Sequence, residues 1–327
     1  MSPGRDVGLG DDDCFGGDLG FQRNRIAAAG HAHRLRVDGG SAVFTDHSVW
    51  SFVEADGAAD LAGVEEGSDF SVGLLIKPET NFDSAFLGFE AVEFLFPYPY
   101  PATDLRQRLD ANNLQLVLHN LPAGNWEGGE RGIACLPDRK EEFRGGVTRA
   151  IEYAKTLNVP QLNCLVGIPP ASVSLTDARA TIVENLKFAA DALKKEGIRL
   201  LVEPCNYFDI PGFALNRSQE GLDVIRDVGS DNLFLQYDIY HMQRMEGELA
   251  ATIKRNLPSI AHIQLADNPG RNEPGTGEIN YPFLFSLLDS LGYDGWIGCE
   301  YKPRGTTDAG LGWLQEIAGW KTARAAA

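Results

Sequence analysis

The chain has 327 residues, of which 43% are hydrophobic and 23% charged, so it can build a sizeable core in one large domain or two smaller ones. Its formal net charge of −17 argues against nucleic-acid binding through the phosphate backbone. A cytoplasmic protein with no membrane partner is expected, because no apolar stretch approaches a membrane helix, no secretory signal opens the chain, and the five cysteines include no Cys-x-x-Cys pair.

The region before residue 87 differs in charge and pattern from the rest of the chain. Residues 1–86 carry 15 acidic and 6 basic side chains, a larger acidic excess than the whole of the longer remainder. Residues 1–65 show no sustained period of two or 3.6 residues, and they contain Gly-Gly and Asp-Asp-Asp runs. They are therefore predicted to form an irregular or disordered N-terminal extension, followed by one folded domain over residues 66–327.

From residue 89 onward, short apolar runs alternate with helical patterns. Buried strands are predicted at residues 91–96, 114–119, 162–166, 200–203, 233–238, 260–264 and 296–301. Helices are predicted near residues 102–112, 138–157, 175–196, 218–229, 247–257, 281–291 and 308–320. This alternation is typical of an α/β protein with a (β/α)8 TIM barrel. Phe70 to Ile76 is the only good candidate for the eighth strand, and the short segment behind it leaves the first β/α unit atypical and incomplete.

Four of the apolar runs each end in a polar residue. These residues are Glu203, Asp238, Gln264 and Glu300. Polar side chains at the carboxyl ends of barrel strands point into the mouth where such barrels carry out their chemistry. Three carboxylates and an amide that converge there cannot all stay ionised without a cation or a shared proton. The pattern therefore predicts a metal site or an acid/base site.

Five longer motifs surround the ends of the predicted strands. They are residues 92–98 (VEFLFPY), 119–124 (HNLPAG), 236–243 (QYDIYHMQ), 273–281 (EPGTGEINY) and 298–303 (GCEYKP). Together they resemble the hydroxypyruvate isomerase family, which belongs to the xylose isomerase-like TIM barrels. The resemblance covers about residues 87–320 and fails before them, where the family would supply a first strand and a full first helix.

The resemblance implies an isomerase that interconverts hydroxypyruvate and 2-hydroxy-3-oxopropanoate. This reaction moves a proton between neighbouring carbons through a cis-enediol, so it needs a base, an acid and stabilisation of a developing oxyanion. Glu203 and Glu300 are implied as the proton donor and acceptor pair, and their strands place them on opposite sides of a barrel mouth. The alternative for each is a structural carboxylate paired with Lys302 or Arg304.

A divalent cation bound by Glu203, Asp238, Gln264 and Glu300 is a further expectation. Gln264 stands where the wider superfamily usually has a histidine. Carboxylates with an amide oxygen favour Mg²⁺ or Mn²⁺ over Zn²⁺, and the amide is expected to weaken the site, so that the cation is dispensable. No nucleotide cofactor is expected, because the Gly-rich segments lack the context of a dinucleotide-binding or P-loop motif.

Four residues are candidates for substrate binding: His119, His241, Arg271 and Lys302. His241 lies just past a strand end, where it could hydrogen-bond a substrate oxygen or instead orient a neighbouring carboxylate. Arg271 suits a substrate carboxylate through a bidentate pair, with a solvated loop arginine as the alternative. His119 ends its strand at the same mouth, and Lys302 shares the predicted face of Glu300.

The expected partner is a small hydroxy or oxo acid, and a homo-oligomer is a compatible assembly. Three other functions stay open at this point. The first is an isomerase or epimerase of a longer 2-oxo sugar acid or a ketose. The second is a phosphodiester-cleaving barrel with several zinc ions, which the six histidines and the acidic surface disfavour. The third is a barrel that has lost catalysis and only binds a ligand.

Overall fold

In the computed structural model, the described residues are 25–30, 36–37, 54–55, 72–75, 89, 91–305 and 310–317. Their strands are β1 (Arg25–Gly30), β2 (Arg36–Val37), β3 (Glu54–Ala55), β4 (Val72–Leu75), β5 (Ala91–Phe94), β6 (Gln115–Asn120), β7 (Gln161–Cys164), β8 (Arg199–Val202), β9 (Leu233–Asp238), β10 (Ile260–Leu265) and β11 (Trp296–Tyr301). Within these residues, nine strands close into a barrel in the order β1-β11-β10-β9-β8-β7-β6-β5-β4, and β2 pairs with β3 outside it.

Strands β5 to β11 all run parallel, and each lies beside the strand that precedes it in the chain. Their positions agree with the seven runs predicted from the apolar pattern. Parallel neighbours need a long crossover connection, which the intervening helices supply. The predicted TIM barrel architecture is therefore confirmed.

The closing seam of the barrel differs from the sequence prediction. Val72–Leu75 lies in the barrel within the predicted run, but it pairs antiparallel with both β5 and β1. Antiparallel neighbours can be joined by a connection shorter than a helical crossover, and residues 76–90 connect Leu75 to Ala91. The parallel neighbour of β11 is instead Arg25–Gly30, inside the region expected to be irregular. Apart from β1, β2 and β3, residues 1–65 lie outside the described residues, so the domain division stays a prediction.

The helices lie outside the barrel, and six of them lie where the 3.6-residue patterns predict them; of the last predicted helix, 308–320, the structure describes residues 310–317. The helices are α1 (Ala102–Ala111), α2 (Lys140–Leu157), α3 (Leu175–Lys195), α4 (Ser218–Val228), α5 (Ile239–Met245), α6 (Leu249–Asn256), α7 (Tyr281–Ser290) and α8 (Trp313–Glu316), with 3-10 turns at Pro137–Arg139 and Leu257–Ser259. Apolar side chains of the helices pack on those of the strands to form the main core. Over the described residues, none of these helices combines the length and the apolar character that membrane crossing requires.

The short helix α5 is absent from the sequence prediction. It begins directly after β9, and the Asp238 carboxylate caps it by accepting hydrogen bonds from the backbone N–H groups of Tyr240 and His241. An aspartate is among the preferred residues at this position because its oxygen satisfies otherwise unpaired N–H groups of the first turn. The cap therefore places His241 in the first turn of a helix that starts at the barrel rim.

A buried polar network fills the barrel interior below the rim. Glu93 of β5 bonds His262 Nε2 at 2.8 Å through one carboxylate oxygen and accepts from Gln264 Nε2 at 2.8 Å through the other. Gln264 Oε1 in turn accepts from Gln236 Nε2 at 2.6 Å. A side chain at Gly298 would collide with this network, because a Cβ there would lie 2.7 Å from both Gln264 Cγ and Glu93 Oε1. Gly298 thus gives these polar groups the space that they need.

We expect Gly298→Ala to lower the free energy of unfolding by about 1–3 kcal/mol, because the added methyl overpacks a buried, hydrogen-bonded region. Gly145→Ala is the matched control, since its Cβ would meet nothing within 4 Å on the exposed side of α2. Removing a helix glycine should stabilise the control by about 0.5–1 kcal/mol. Urea unfolding monitored by circular dichroism measures both changes, and equal midpoints for the two variants would contradict the prediction.

Candidate active site

Three carboxylates meet at the carboxyl-terminal rim of the barrel. Glu203 follows β8, Asp238 ends β9, and Glu300 lies near the end of β11. One oxygen from each of the three groups lies within 4.8 Å of the others. The sequence prediction that these three side chains converge is therefore correct in its geometry.

Glu203 is 5% exposed, and its carboxylate is hydrogen-bonded by a side chain of β7. Its Oε2 accepts a hydrogen bond from Asn163 Nδ2 at 2.8 Å, and the same nitrogen donates to Asn120 Oδ1 at 3.0 Å. Burial raises the pKa of Glu203 well above its usual value, the charges of Glu300 and Asp238 raise it further, and Arg271 opposes them. Glu203 can therefore hold a proton under conditions in which an exposed glutamate would be ionised.

Asp238 is fully buried and has two differently engaged oxygens. Its Oδ1 caps α5, whereas its Oδ2 has no hydrogen-bond partner among the described residues. Arg271 Nη2 lies 3.8 Å from Oδ2, and His241 Nε2 lies 3.7 Å from it. Burial raises the pKa of Asp238, while Arg271 and the capping bonds lower it. The free Oδ2 is thus a buried acceptor that faces the space between the three carboxylates.

Glu300 forms an ion pair with Arg271. Arg271 Nη2 donates to Glu300 Oε1 at 2.8 Å, and its guanidinium lies 5.1 Å from the centre of the Tyr240 ring. Burial raises the pKa of Glu300 to about 7, Arg271 lowers it, and Asp238 raises it. A group with such a pKa can both accept and donate a proton near neutral pH, as general acid/base catalysis requires.

The loop after β10 positions Arg271. The buried Asp267 carboxylate accepts hydrogen bonds from the backbone N–H groups of Gly275, Gly277 and Ile279, which folds the loop back on itself. Gly277 cannot carry a side chain, because its Cβ would lie 2.0 Å from the carbonyl oxygen of Asn268. These requirements explain the Gly-x-Gly spacing of the EPGTGEINY motif. Arg271 itself adopts a positive φ of 53° in this loop.

His241 faces the carboxylates with one ring nitrogen. Its Nε2 lies 4.0 Å from Glu203 Oε1 and 3.7 Å from Asp238 Oδ2, and its Nδ1 faces Asn206. Burial lowers the pKa of His241 well below its usual value, and Arg271 lowers it further. The imidazole is therefore neutral near pH 7 and can donate or accept a hydrogen bond without carrying charge.

His119 is fully buried at the end of β6. Its Nδ1 lies 3.1 Å from the carbonyl oxygen of Asn120 and 3.3 Å from the Tyr98 hydroxyl, whereas its Nε2 has no partner among the described residues. Burial lowers the pKa of His119 to about 4, so the ring is neutral. The carbonyl beside Nδ1 requires a donor there, which leaves Nε2 as an acceptor. Substrate contact by His119 stays a prediction.

Gln264 and Lys302 are engaged differently from the three carboxylates. Gln264 stands in register with Asp238 and Gly298, but both ends of its amide already bond Gln236 and Glu93. Lys302 has an exposed side chain, and its backbone N–H donates to the carbonyl of Arg271 at 2.7 Å. The metal-ligand role of Gln264 stays a prediction, and so does the carboxylate-binding role of Lys302.

The sequence analysis missed three residues that hold the site together. Asn163 bonds Glu203, Asn206 bonds His241, and Asp209 lies 3.8 Å from Arg271 Nη1. Asn206 and Asp209 follow Glu203 by three and six residues on the same rim loop. Their closeness in sequence to a predicted catalytic glutamate could have identified them as residues of the site. Asn163 is a polar residue inside an apolar strand, which is itself an unusual feature.

Comparison with known proteins decides the family. The family described as xylose isomerase-like TIM barrel matches residues 83–317. The chain belongs to this family. Hydroxypyruvate isomerase of Escherichia coli is 56% identical over 231 residues, which cover 71% of this chain and 90% of that protein. The 2-oxo-tetronate isomerase of Cupriavidus necator is 50% identical over 232 residues, with coverage of 71% and 89%. This member of the xylose isomerase-like TIM barrel family is an isomerase.

Two solved structures share the barrel fold over most of the chain. A crystal structure described as AP endonuclease, family 2, from Brucella melitensis has 42% identity and a TM-score of 0.68, covering 70% of this chain and 88% of that one. D-psicose 3-epimerase from Clostridium cellulolyticum H10 has 19% identity and a TM-score of 0.56, with coverage of 73% and 84%. The second likeness shows the shared barrel fold alone.

The residues at the rim fit a divalent cation. Glu203, Asp238 and Glu300 offer hard oxygen ligands around one point, and the unpartnered Asp238 Oδ2 lacks the neighbour that a buried carboxylate oxygen requires. Glu203, Cys205 and His241 form a second close group. A thiol and an imidazole favour softer cations than carboxylates do. The oxygen-rich set is therefore the better site for Mg²⁺ or Mn²⁺.

We expect the chelator-treated wild type to lose stability relative to Glu300→Gln as pH rises from about 5 to about 8. The raised pKa of Glu300, about 7 against 4.5, means that the folded state holds a proton that the unfolded chain releases. This contribution is fully present below pH about 4.5 and is lost as pH rises through about 7. Thermal unfolding should show a shallower loss in Glu300→Gln than in the wild type.

Glu184→Gln is the control, because Glu184 is exposed on α3 and pairs only with surface cations. It should keep the wild-type pH dependence. Mg²⁺ or Mn²⁺ added at pH 8 should raise the unfolding temperature of the wild type and of this control more than that of Glu300→Gln. Equal responses in all three proteins would contradict a cation site at Glu300.

Proposed function

We propose that this isomerase interconverts hydroxypyruvate and 2-hydroxy-3-oxopropanoate by proton transfer through a cis-enediol. The observation that carries the proposal is the meeting of Glu203 and Glu300 within 4.8 Å beside the Arg271 guanidinium. Two carboxyl groups with raised pKa values suit the removal and return of a proton on neighbouring carbons. The positively charged Arg271 guanidinium beside them suits the binding of a small substrate that carries a carboxylate.

In this mechanism, one of the two glutamates removes a proton from C3 of hydroxypyruvate, the hydroxyl proton on O3 is transferred to O2, and a protonated carboxyl returns a proton to C2. The pair is suited to exchanging roles because both groups can hold a proton near neutral pH. His241 faces the space between Glu203 and Asp238 and is available to hydrogen-bond a substrate oxygen. Arg271 has N–H groups beyond the one that bonds Glu300, and these are proposed to bind the substrate carboxylate.

A divalent cation is proposed to be held by Glu203, Asp238 and Glu300, with Gln264 as a further ligand. Such a cation would polarise the substrate carbonyl and hold the two substrate oxygens on the same side. Mg²⁺ or Mn²⁺ suits the oxygen donors best. For Gln264 to take part, its Oε1 must use its second lone pair, because Gln236 already donates to this oxygen.

Solvent deuterium exchange tests the proton-transfer roles. We expect the wild type to incorporate deuterium into hydroxypyruvate in D₂O, followed by NMR, and Glu300→Gln to slow this exchange by about 10²–10⁴-fold, because an amide cannot accept the proton. Glu184→Gln on the exposed face of α3 should keep the wild-type rate. Equal exchange in the wild type and in Glu300→Gln would overturn the catalytic role of Glu300.

The second candidate substrate is the four-carbon acid 2-oxo-tetronate, because the Cupriavidus necator relative at 50% identity carries that name. The 56% identity to the Escherichia coli hydroxypyruvate isomerase favours the three-carbon acid. We expect kcat/KM for hydroxypyruvate to exceed that for 2-oxo-tetronate by about 10-fold or more, because one misplaced substrate group in a pocket changes kcat/KM by about this factor. Steady-state kinetics with both acids measures this ratio, and the reverse preference would replace the substrate while retaining the isomerase chemistry.

A further inference from the structure

Asn206 lies on the rim loop three residues after Glu203, and its polar groups are all engaged. It has no exposed surface. Its Oδ1 accepts a hydrogen bond from the backbone N–H of Asp209 at 2.9 Å, and its Nδ2 donates to Asp209 Oδ2 at 3.0 Å. The second hydrogen of Nδ2 faces His241 Nδ1 at 2.6 Å, and the backbone N–H of Asn206 faces the same ring nitrogen at 3.2 Å.

These contacts determine which way the Asn206 amide points. The backbone N–H of Asp209 can only donate, so the atom that faces it must be the amide oxygen. The amide nitrogen is then the atom beside His241 Nδ1. The orientation follows from the hydrogen-bond network rather than from the similar shapes of oxygen and nitrogen.

The same contacts determine the tautomer of His241. Both groups that face Nδ1, the amide nitrogen and the backbone nitrogen of Asn206, are donors. Nδ1 must therefore present its lone pair, and a neutral imidazole that accepts at Nδ1 carries its proton on Nε2. That N–H points toward Asp238 Oδ2 at 3.7 Å and Glu203 Oε1 at 4.0 Å. Both distances are too long for a hydrogen bond, so the donor is free to bond an atom between these groups.

We propose that Asn206 is a positioning residue that holds His241 as the Nε2–H tautomer, so that the ring donates a hydrogen bond to a substrate oxygen. Charge develops on the substrate oxygens in the enediol step, and an oriented donor that needs no rearrangement stabilises that charge. A ring with its proton on Nδ1 would instead present a lone pair to the same oxygen and repel it. The substrate step rests on the proposed function, whereas the tautomer does not.

The decisive variant is Asn206→Asp, which replaces the amide donor by an acceptor. A carboxylate oxygen beside Nδ1 requires a hydrogen there, so the proton of the ring should move from Nε2 to Nδ1. Asn206→Ala is the second variant. It retains the backbone N–H donor but loses the side-chain one, and the ring should then populate both tautomers.

NMR of protein labelled with ¹⁵N-histidine reads the tautomer directly, and His241→Gln identifies the signals of this ring among the six histidines. We expect an unprotonated Nδ1 and a protonated Nε2 in the wild type, with reversal in Asn206→Asp. The reversed tautomer should lower kcat for hydroxypyruvate by about 10²-fold, the effect of losing one oriented donor. KM should change by less than about threefold, because the donor acts on the developing charge.

Two control variants separate positioning from loop stability. Asn216 lies in the same loop, where its side chain bonds the carbonyl of Cys205, so Asn216→Ala tests loop integrity and should retain the tautomer and kcat. Asp209→Asn retains the backbone N–H that orients Asn206, so it should also retain the Nε2–H tautomer. Circular dichroism and thermal unfolding check that each variant is folded.

Four outcomes would overturn the proposal: an Nδ1–H ring in the wild type, an unchanged tautomer in Asn206→Asp, a tautomer reversal with unchanged kcat, or an equal loss of kcat in Asn216→Ala. The tautomer is measured without turnover, so the test separates the two proposals. A tautomer reversal in a protein whose wild type does not isomerise hydroxypyruvate would overturn the proposed function and support the tautomer assignment.

Discussion

The crowding of Glu203, Asp238 and Glu300 is the constraint on which the rest of the site depends. Two like charges about 4 Å apart repel by about 4 kcal/mol even at the effective dielectric constant of a protein surface. Their oxygens lie within 4.8 Å of one another in a largely buried rim, so the three groups cannot all be charged without compensation. Arg271 supplies one positive charge through its bond to Glu300. The remaining negative charge must bind protons or a cation, and both options serve proton transfer.

The barrel supports this arrangement from below and from the side. Beneath the rim, Glu93 pairs with His262 and Gln264 in a network that exists because Gly298 leaves room for it. Beside the rim, the backbone of residues 273–279 wraps around Asp267 and carries Arg271 to Glu300. In each support a buried carboxylate, Glu93 or Asp267, is hydrogen-bonded through both of its oxygens, and buried polar groups that are engaged in this way add rigidity.

His241 illustrates how one residue can serve the fold and the site together. The same Asp238 carboxylate that faces the cluster caps α5, and this cap sets the position of the imidazole. The cap thus positions the ring, and the Nε2 side of the ring faces the space between the acidic groups.

The sequence by itself determined the strand and helix series from Ala91 onward and the convergence of three carboxylates. Strands and helices could be predicted because the spacing of apolar residues in the local sequence shows which side of each element is buried. The carboxylates could be predicted to converge because parallel strands bring their carboxyl ends to one rim of the barrel. It also indicated Arg271 as a candidate for binding the substrate carboxylate, although the bond of Arg271 to Glu300 was not foreseen. The resemblance carried by the motifs then implied the chemistry of the isomerase family.

Only the tertiary structure decided the seam, the partners of Gln264 and the state of His241. Val72–Leu75 pairs antiparallel with β1 and β5, and its apolar pattern records burial but not strand direction. Gln264 follows its strand pattern as predicted, yet its amide turns to Glu93 and Gln236, which are distant in sequence. The tautomer of His241 depends on a loop asparagine thirty-five residues away. Hydrogen-bond partners of buried polar groups are set by neighbours across the barrel, and a local pattern does not record them.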